Sequence, residues 1–559
     1  MKNVMEYFPL KEARPTQKLV LEETERVFST GKKIVILEAP VGSGKSAIAL
    51  TLARQQAAHP ETKFEDAKDG KPVKPPPMPV HIITPRKSLQ DQYYADFPRD
   101  LVTMKGRNSY PCIIEMEPRR YIPILKAIKE GKTAAPGANE DSCANGPCDG
   151  NEEIYKSCTD QHPCPYNLAI ETAQGEPIIV HNLHSFIYQT SFATKFDKRS
   201  LLIVDEAHEI ENTVRNFATR TLHTKAHVDR SQVDQLVTIK DWTEFLLKPE
   251  IMPVLTPQDI SKAAADPKFK SVQAVYKDQV AQLEKWESTY EKGFAVEIIP
   301  TINVITKART GTRFEIIPNY VGGEVRRLLL EFGDRVLLMS GTIYDKKTYC
   351  SQLGINPEDA HFIRIESTFP KENRPIYLKP AYQVNTSHAT WNENFPKMIE
   401  IIQAILAIFH DAKGLIHAPS YFAAEEIAKA LNSPRVWTHQ ANNFLTTLER
   451  FFASSGNGIF LSPICQQGVD FKEDRARFQI VVRVPYLSTG SAFVADKLKK
   501  DFQWYNYQAL IVFGQQVGRV NRGPDDYGAT FLLDSRFSTF ISKNRGVLPK
   551  WLKDGFIYK

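Results

Sequence analysis

Residues 34–57 read IVILEAPVGSGKSAIALTLARQQA, and this stretch decides the fold. The β-branched run Ile34–Leu37 has the composition of a buried strand, Glu38-Ala39-Pro40 and a glycine-rich turn end it, and Ser46–Ala57 carries helical spacing. Strand, loop and helix in that order form a phosphate cradle. Gly42 and Gly44 let backbone N–H groups approach an anion with no Cβ in the way, and Ser43 lies between them. Lys45 can then reach the β and γ phosphates, the Ser46 hydroxyl can bind Mg²⁺, and the helix adds its positive dipole end. Ala39 stands where the pattern usually has its first glycine. A glycine turn capping an ordinary helix is the competing interpretation, and the two flanking elements argue against it.

Downstream, the apolar run LLIV delivers Asp205, Glu206, Ala207 and His208 at a strand end. Asp205 there is suited to hold the Mg²⁺ and Glu206 to orient the attacking water. Hydrolysis also needs positive charge at the γ-phosphate, which neither stretch supplies. QQVGRVNR (515–522) does: it brings Gln515, Arg519 and Arg522, the two arginines three apart on one helical face. These residues predict ATP enclosed between two α/β units, with closure depending on the nucleotide.

The 559 residues exceed one core, and 42% hydrophobic with 24% charged residues is a globular composition. The net charge of +6 suits a polyanionic partner but is small for this size. The N-terminal MKNVMEYFPLKEAR lacks a secretory h-region and no run has membrane-span length, so a cytoplasmic or otherwise intracellular protein with no membrane partner is expected. Strand candidates continue at VHIITP (80–85), RVLLMSGTI (335–343), GLIHAPSY (414–421), GIFLSPI (458–464), FQIVVRVPY (478–486) and ATFLLDS (529–535). The proline-rich KPVKPPPMP (71–79) reads as an exposed connection.

Five of seven cysteines, Cys112, Cys143, Cys148, Cys158 and Cys164, fall in one glycine-, proline- and asparagine-rich stretch, while Cys350 and Cys465 stand apart. Such clustering favours metal over disulfides in a reducing compartment. The expected α/β architecture has two nucleotide-binding domains with two insertions in the first. Its first domain comprises residues 1–105, 166–209 and 326–374 with the linker, and is interrupted by a metal-held insertion at 106–165 and a helical insertion at 210–325. The second domain is 375–559.

EAPVGSGKS, VDEAH, MSGTI, GVDF after GIFLSPICQQ, and QQVGRVNRG, in this order, resemble the XPD/DinG family of iron–sulfur superfamily 2 helicases. RPTQ (14–17), TPRKSLQDQY (84–93), KGRNSYPC (105–112), Asp526-Tyr527-Gly528 and Asp534-Ser535-Arg536 add to the likeness, which spans almost the whole chain. The resemblance implies two RecA-like motor domains, a [4Fe–4S] cluster, an arch insertion between VDEAH and MSGTI, and ATP-driven 5′ to 3′ movement on single-stranded and forked DNA by a monomeric motor. It makes Gln17 the adenine reader and His208, Ser340, Gly341 and Thr342 the coupling between nucleotide and DNA. It also makes Cys112 the first cluster ligand and Cys164 the last, with Cys158 by spacing and Cys148 favoured over Cys143 for the remaining place. SPICQQGVD departs from the family's Trp-Glu-Gly-like pattern, and the fifth cysteine leaves the ligand set open, as it leaves zinc open against iron–sulfur.

Lys105, Arg107, Tyr110 and Tyr166 are candidate contacts to the translocating strand. Two other readings compete with a helicase in DNA repair or replication: a nucleic-acid-binding redox sensor gated by its cluster, and a translocase that strips proteins without separating strands. No paired-carboxylate or metal cassette for a nuclease stands outside the motor motifs.

Overall fold

The computed structural model describes all residues except 1–2, 59–79, 115, 132–141, 147–162, 254–260, 262–270, 286, 291, 304, 466–468 and 559. The first sheet has seven strands. They are β1 (Ile34–Glu38), β2 (Val80–Thr84), β3 (Val102–Met104), β4 (Ile178–Asn182), β5 (Arg199–Val204) and, after an insertion carrying β6 (Arg220–Thr224), β7 (Phe294–Ile302) and β8 (Arg309–Pro318), β9 (Gly333–Ser340) and β10 (Ala360–Arg364). Their order is β10-β1-β9-β5-β2-β4-β3, every pairing parallel. Parallel sheets are covered on both faces, which is why these strands read as near-continuous apolar runs. Alternation splits β1 between two cores: Val35 and Leu37 pack with Ile48, Leu50 and Tyr93, whereas Ile36 packs with Phe186, Ile210, Val214 and Val325 on the other face.

The second sheet, β11 (Ile376–Tyr377), β12 (Gly414–His417), β13 (Val436–Trp437), β14 (Ile459–Ser462), β15 (Phe478–Val481), β16 (Ala529–Leu532) and β17 (Phe556–Ile557), is also parallel, in the order β13-β14-β12-β15-β16-β11-β17. A helix over Phe502–Val517 joins the two units, because its Tyr507 and Ile511 pack into the core beneath the first sheet.

The 210–325 insertion is not simply helical. Helices occupy Ile239–Leu246 and Val272–Lys285, but β6, β7 and β8 form an antiparallel sheet in the order β6-β8-β7. Phe314 and Ile316 of β8 turn inward on Trp242, Phe245 and Leu283. The period-2 signal of FEIIP lies in a polar stretch and is masked by the helical spacing beside it. The insertion's edges also differ from expectation: the helix Ile210–Ala218 carries a strong apolar stripe that packs under the first sheet, as do Val321, Val325 and Leu328. Among the described residues no helix is long and apolar enough to cross a membrane.

Candidate active site

Parallel register sets the site. Glu38 pairs with Ser340 and Val204 with Leu338, and the Asp205 N–H donates to the Ile83 carbonyl at 2.8 Å. The turn after β1, the acidic residues after β5 and the SGT stretch after β9 therefore emerge side by side at the carboxyl ends of three adjacent strands, where α/β folds hold ligands.

Gly42 and Gly44 both adopt left-handed φ, +75° and +79°, which a non-glycine residue takes only with strain. The loop is braced from the N-terminal helix. The Gln17 Nε2 donates to the Ser43 carbonyl at 3.1 Å, its Oε1 accepts the Arg14 N–H at 2.9 Å, and the Arg14 guanidinium donates to the Gly42 carbonyl at 2.5 Å. Gln17 is thus buried against the loop rather than extended toward a ligand. Arg14, the first residue of the quoted RPTQ, is assigned no role from sequence and here braces the loop.

Asp205 and Glu206 behave differently although they are adjacent. Burial, followed by the neighbouring Glu206 charge, pushes the Asp205 carboxyl up to about 6, and the Tyr93 hydroxyl donates to it at 3.1 Å. Tyr93 also bonds Ser46, so hydroxyl and carboxylate share one buried corner. A desolvated carboxylate beside a hydroxyl is a donor set that suits Mg²⁺. Glu206 sits in the left-handed region, φ 50° and ψ 44°. Burial raises its carboxyl, but Lys45 first, then His208 and Arg519, outweigh burial and hold it below the usual carboxylate range. It is therefore ionised and able to orient water.

A continuous chain of contacts leaves Glu206 for the second sheet. The Glu206 carboxylate lies 3.3 Å from His208 Nδ1, which is 2.8 Å from the Ser340 hydroxyl. Ser340 accepts the Thr342 N–H at 3.2 Å, Gln515 Nε2 donates to the Thr342 hydroxyl at 2.9 Å, and Arg519 donates to Gln515 Oε1 at 3.0 Å. Arg519 is buried. That burial, with Arg522 nearby, lowers its guanidinium to about 9, and the attraction of Glu206 opposes the shift. Arg522 is pinned to Asp470, Nε to Oδ1 2.7 Å. Lys45, Arg86, Glu206, Gln515, Arg519 and Arg522 all line one cleft of about 240 Å³ between the sheets.

The cysteine insertion is described at three of its five thiols, with Cys148 and Cys158 outside the described residues. Cys143 Sγ lies 3.8 Å from Cys164 Sγ, and Cys112 Sγ borders Gly146 in the same turn. Among the described residues no group of three ligating side chains converges on a metal position. The two touching thiols match the chemistry of a thiolate site, and they bring in Cys143, which the sequence had ranked behind Cys148. Tyr110 is corrected: it is buried, its hydroxyl accepts the Lys105 N–H at 3.2 Å and its ring packs 5.7 Å from Tyr166, so it is core rather than a strand contact. Lys105 itself pairs with Asp91 at 2.6 Å.

Two family models match. The "Helicase C-terminal domain" covers residues 402–555 and the "Type III restriction enzyme, res subunit" covers 10–228. The chain is similar to the "General transcription and DNA repair factor IIH helicase subunit XPD/RAD3" of Saccharomyces cerevisiae, 25% identical over 302 residues, 48% of this chain and 37% of that one. It is also similar to a "Regulator of telomere elongation helicase 1 homolog" of Aedes aegypti, 23% identical over 318 residues, 49% of this chain and 29% of that one. The matched span is thus about a third of those relatives' own lengths. Among solved structures, an XPD helicase aligns with TM-score 0.59 at 15% identity, covering 98% of this chain and 100% of that one. S. tokodaii Xpd4 aligns at 0.52 and 14%, covering 96% and 99%. At that identity the likeness is one of fold.

Proposed function

We propose that this chain is an XPD-like helicase of superfamily 2 that hydrolyses ATP between its two parallel sheets and uses the cycle to move 5′ to 3′ along single-stranded DNA, unwinding duplex in DNA repair or replication. The observation that carries the reading is that Lys45, Glu206 and Arg519, from opposite sides of the junction, line one cleft and act on one another electrostatically.

In this reading residues 1–105, 166–218 and 321–374 are one motor lobe and 375–559 the other. Gly42, Ser43, Gly44 and Lys45 hold the triphosphate, while Ser46 and Asp205 would hold a Mg²⁺ that neutralises charge on the β and γ phosphates. Ionised Glu206 accepts a hydrogen bond from the attacking water and aligns it with the γ-phosphorus. Arg519 meets the charge that develops on the transferring group, and Arg522 supports it once Asp470 releases it. The chain of contacts from His208 through Ser340 and Thr342 to Gln515 ties hydrolysis to the approach of the second lobe. Backbone contacts make the grip on DNA largely independent of sequence. The cysteine insertion would hold a [4Fe–4S] cluster through Cys112, Cys158, Cys164 and one further thiol, Cys148 or Cys143, of which Cys143 touches Cys164. Iron and sulfide content measured in Cys143→Ser and in Cys148→Ser assigns that place, since it falls in the variant that loses a ligand and stays near wild type in the other.

The deciding experiment measures DNA-stimulated ATP hydrolysis and strand displacement on forked, 5′-tailed and 3′-tailed substrates. Lys45→Ala and Glu206→Gln should each lower hydrolysis by roughly 10²-fold or more, with ATP binding retained in Glu206→Gln. Displacement only from 3′ tails overturns the polarity. Hydrolysis with no displacement on any substrate points to the protein-stripping translocase, and DNA affinity that changes with cluster oxidation points to the redox sensor.

A further inference from the structure

The cleft that holds Lys45 and Arg519 has a second group of lining residues that belongs to none of the motifs: Phe369, Arg374 and Trp551. Phe369 lies between β10 and β11, in the segment that joins the two sheets, and its ring closes directly on Gly42, so that any Cβ there would overlap it. Arg374 fixes the cluster. Its Nε and Nη2 donate to the Phe369 carbonyl at 3.4 Å, its Nη1 donates to the Trp551 carbonyl, and its Cζ stands 5.7 Å from the Trp551 ring centroid. Trp551 is held in turn by Glu366, which accepts the Trp551 N–H at 2.8 Å and the Lys550 N–H at 3.3 Å. Two aromatic rings and a planar cation, anchored mainly through main-chain groups, therefore line the cleft together, with Phe369 against the phosphate loop itself.

A nucleoside triphosphate is a polyanion joined to a flat π system. Lys45, Glu206, Gln515 and Arg519 match the polyanion, and the Phe369–Arg374–Trp551 group matches the base. Gln17, implied by resemblance to read adenine, is buried and spends one N–H on the Ser43 carbonyl and one lone pair on the Arg14 N–H, which ties it to the loop. Resting on the ATP reading above, we propose that Phe369, Arg374 and Trp551 form the base subsite, which binds a purine ring by stacking rather than by reading its hydrogen-bonding edge. Stacking on aromatic faces tolerates different bases, and a guanidinium adds attraction to a π face. The subsite should therefore separate nucleotides sharply from bare triphosphate and discriminate ATP from GTP weakly. It also puts the linker between the sheets in contact with bound nucleotide.

The test is calorimetric titration of the full-length chain with ATP, GTP and inorganic tripolyphosphate, on wild type, Phe369→Ala, Trp551→Ala, Trp551→Phe and Gln17→Ala. Phe369→Ala and Trp551→Ala should weaken ATP and GTP about tenfold and leave tripolyphosphate within twofold of wild type, with Trp551→Phe close to wild type. As a second readout, ATP should change tryptophan fluorescence in wild type and not in Trp551→Phe, while tripolyphosphate changes neither. Equal losses for ATP and tripolyphosphate in Phe369→Ala and Trp551→Ala, or no loss for either, overturn the subsite. So does a strong preference for ATP over GTP that disappears in Gln17→Ala. If wild type binds neither ATP nor tripolyphosphate, the motor reading itself falls, and the subsite with it.

Discussion

Tyr344, in left-handed φ (+57°), is gripped on both sides of its backbone by an ion pair whose carboxylate is buried and whose guanidinium is partly exposed. Its N–H donates to the Glu38 carboxylate, its carbonyl accepts from Arg364 Nη2 at 2.5 Å, and Arg364 Nε lies 2.7 Å from Glu38 Oε1. Arg364 also donates to the Val547 carbonyl at 3.2 Å, so the pair links the base of the phosphate loop to the second unit. Removing one charge of a buried pair leaves the other uncompensated. Glu38→Gln should therefore cost about 3 kcal/mol in chemical denaturation. The double variant Glu38→Gln/Arg364→Gln should cost less than the two single losses added together. The motif EAPVGSGKS displays Glu38 in the sequence, but nothing in it names a partner 326 residues away.

At the scale of elements, the helix Phe502–Val517 reaches the SGT turn through one glycine. A Cβ on Gly514 would overlap the Tyr344 hydroxyl, which is buried without a hydrogen-bond partner among the described residues. Gly514→Ala should lower stability by about 1–3 kcal/mol through overpacking, despite the better helix propensity of alanine. It should also reduce kcat, since Gln515 and Arg519 follow on the same helix. Melting temperature and steady-state hydrolysis check both effects. Tyr344→Phe alone should be nearly neutral, and combined with Gly514→Ala it should recover part of the loss. The helix and the strand before the SGT turn are each legible as apolar runs, whereas their contact depends on how two sheets are mounted on one another.

The whole molecule carries an acid sensitivity away from the cleft. His81 and His181, on neighbouring strands of the first sheet, are both fully buried, with His181 Nε2 3.1 Å from His81 Nδ1 between Phe186 and Phe196. Burial holds both rings neutral, taking His181 down to about 3 and His81 well below its ordinary range. Their folded pKa values thus lie below the unfolded value of about 6.5, and below that pH the unfolded chain binds more protons. The stability they contribute is complete above about pH 6.5 and declines as pH falls toward 3, by on the order of 2 kcal/mol per histidine at pH 5. Denaturation midpoints between pH 7 and 5 should fall accordingly, and a midpoint flat across that range contradicts the neutral pair.

Local chemistry was legible from residue order alone. Gly42, Gly44, Lys45, Asp205 and Glu206 lie within a few positions of the strands that aim them, so strand, turn and helix signals locate them without knowledge of the rest. The pairing of sheet edges, the antiparallel sheet inside 210–325, the burial of Tyr110, the contact of Cys143 with Cys164 and the grouping of Phe369 with Trp551 depend on packing between segments far apart in the chain. Short-range periodicity records which face of a segment is apolar; it holds no information about which distant surface covers that face. Only the tertiary structure decides that, because burial and charge pairing are settled by the whole set of competing contacts at once.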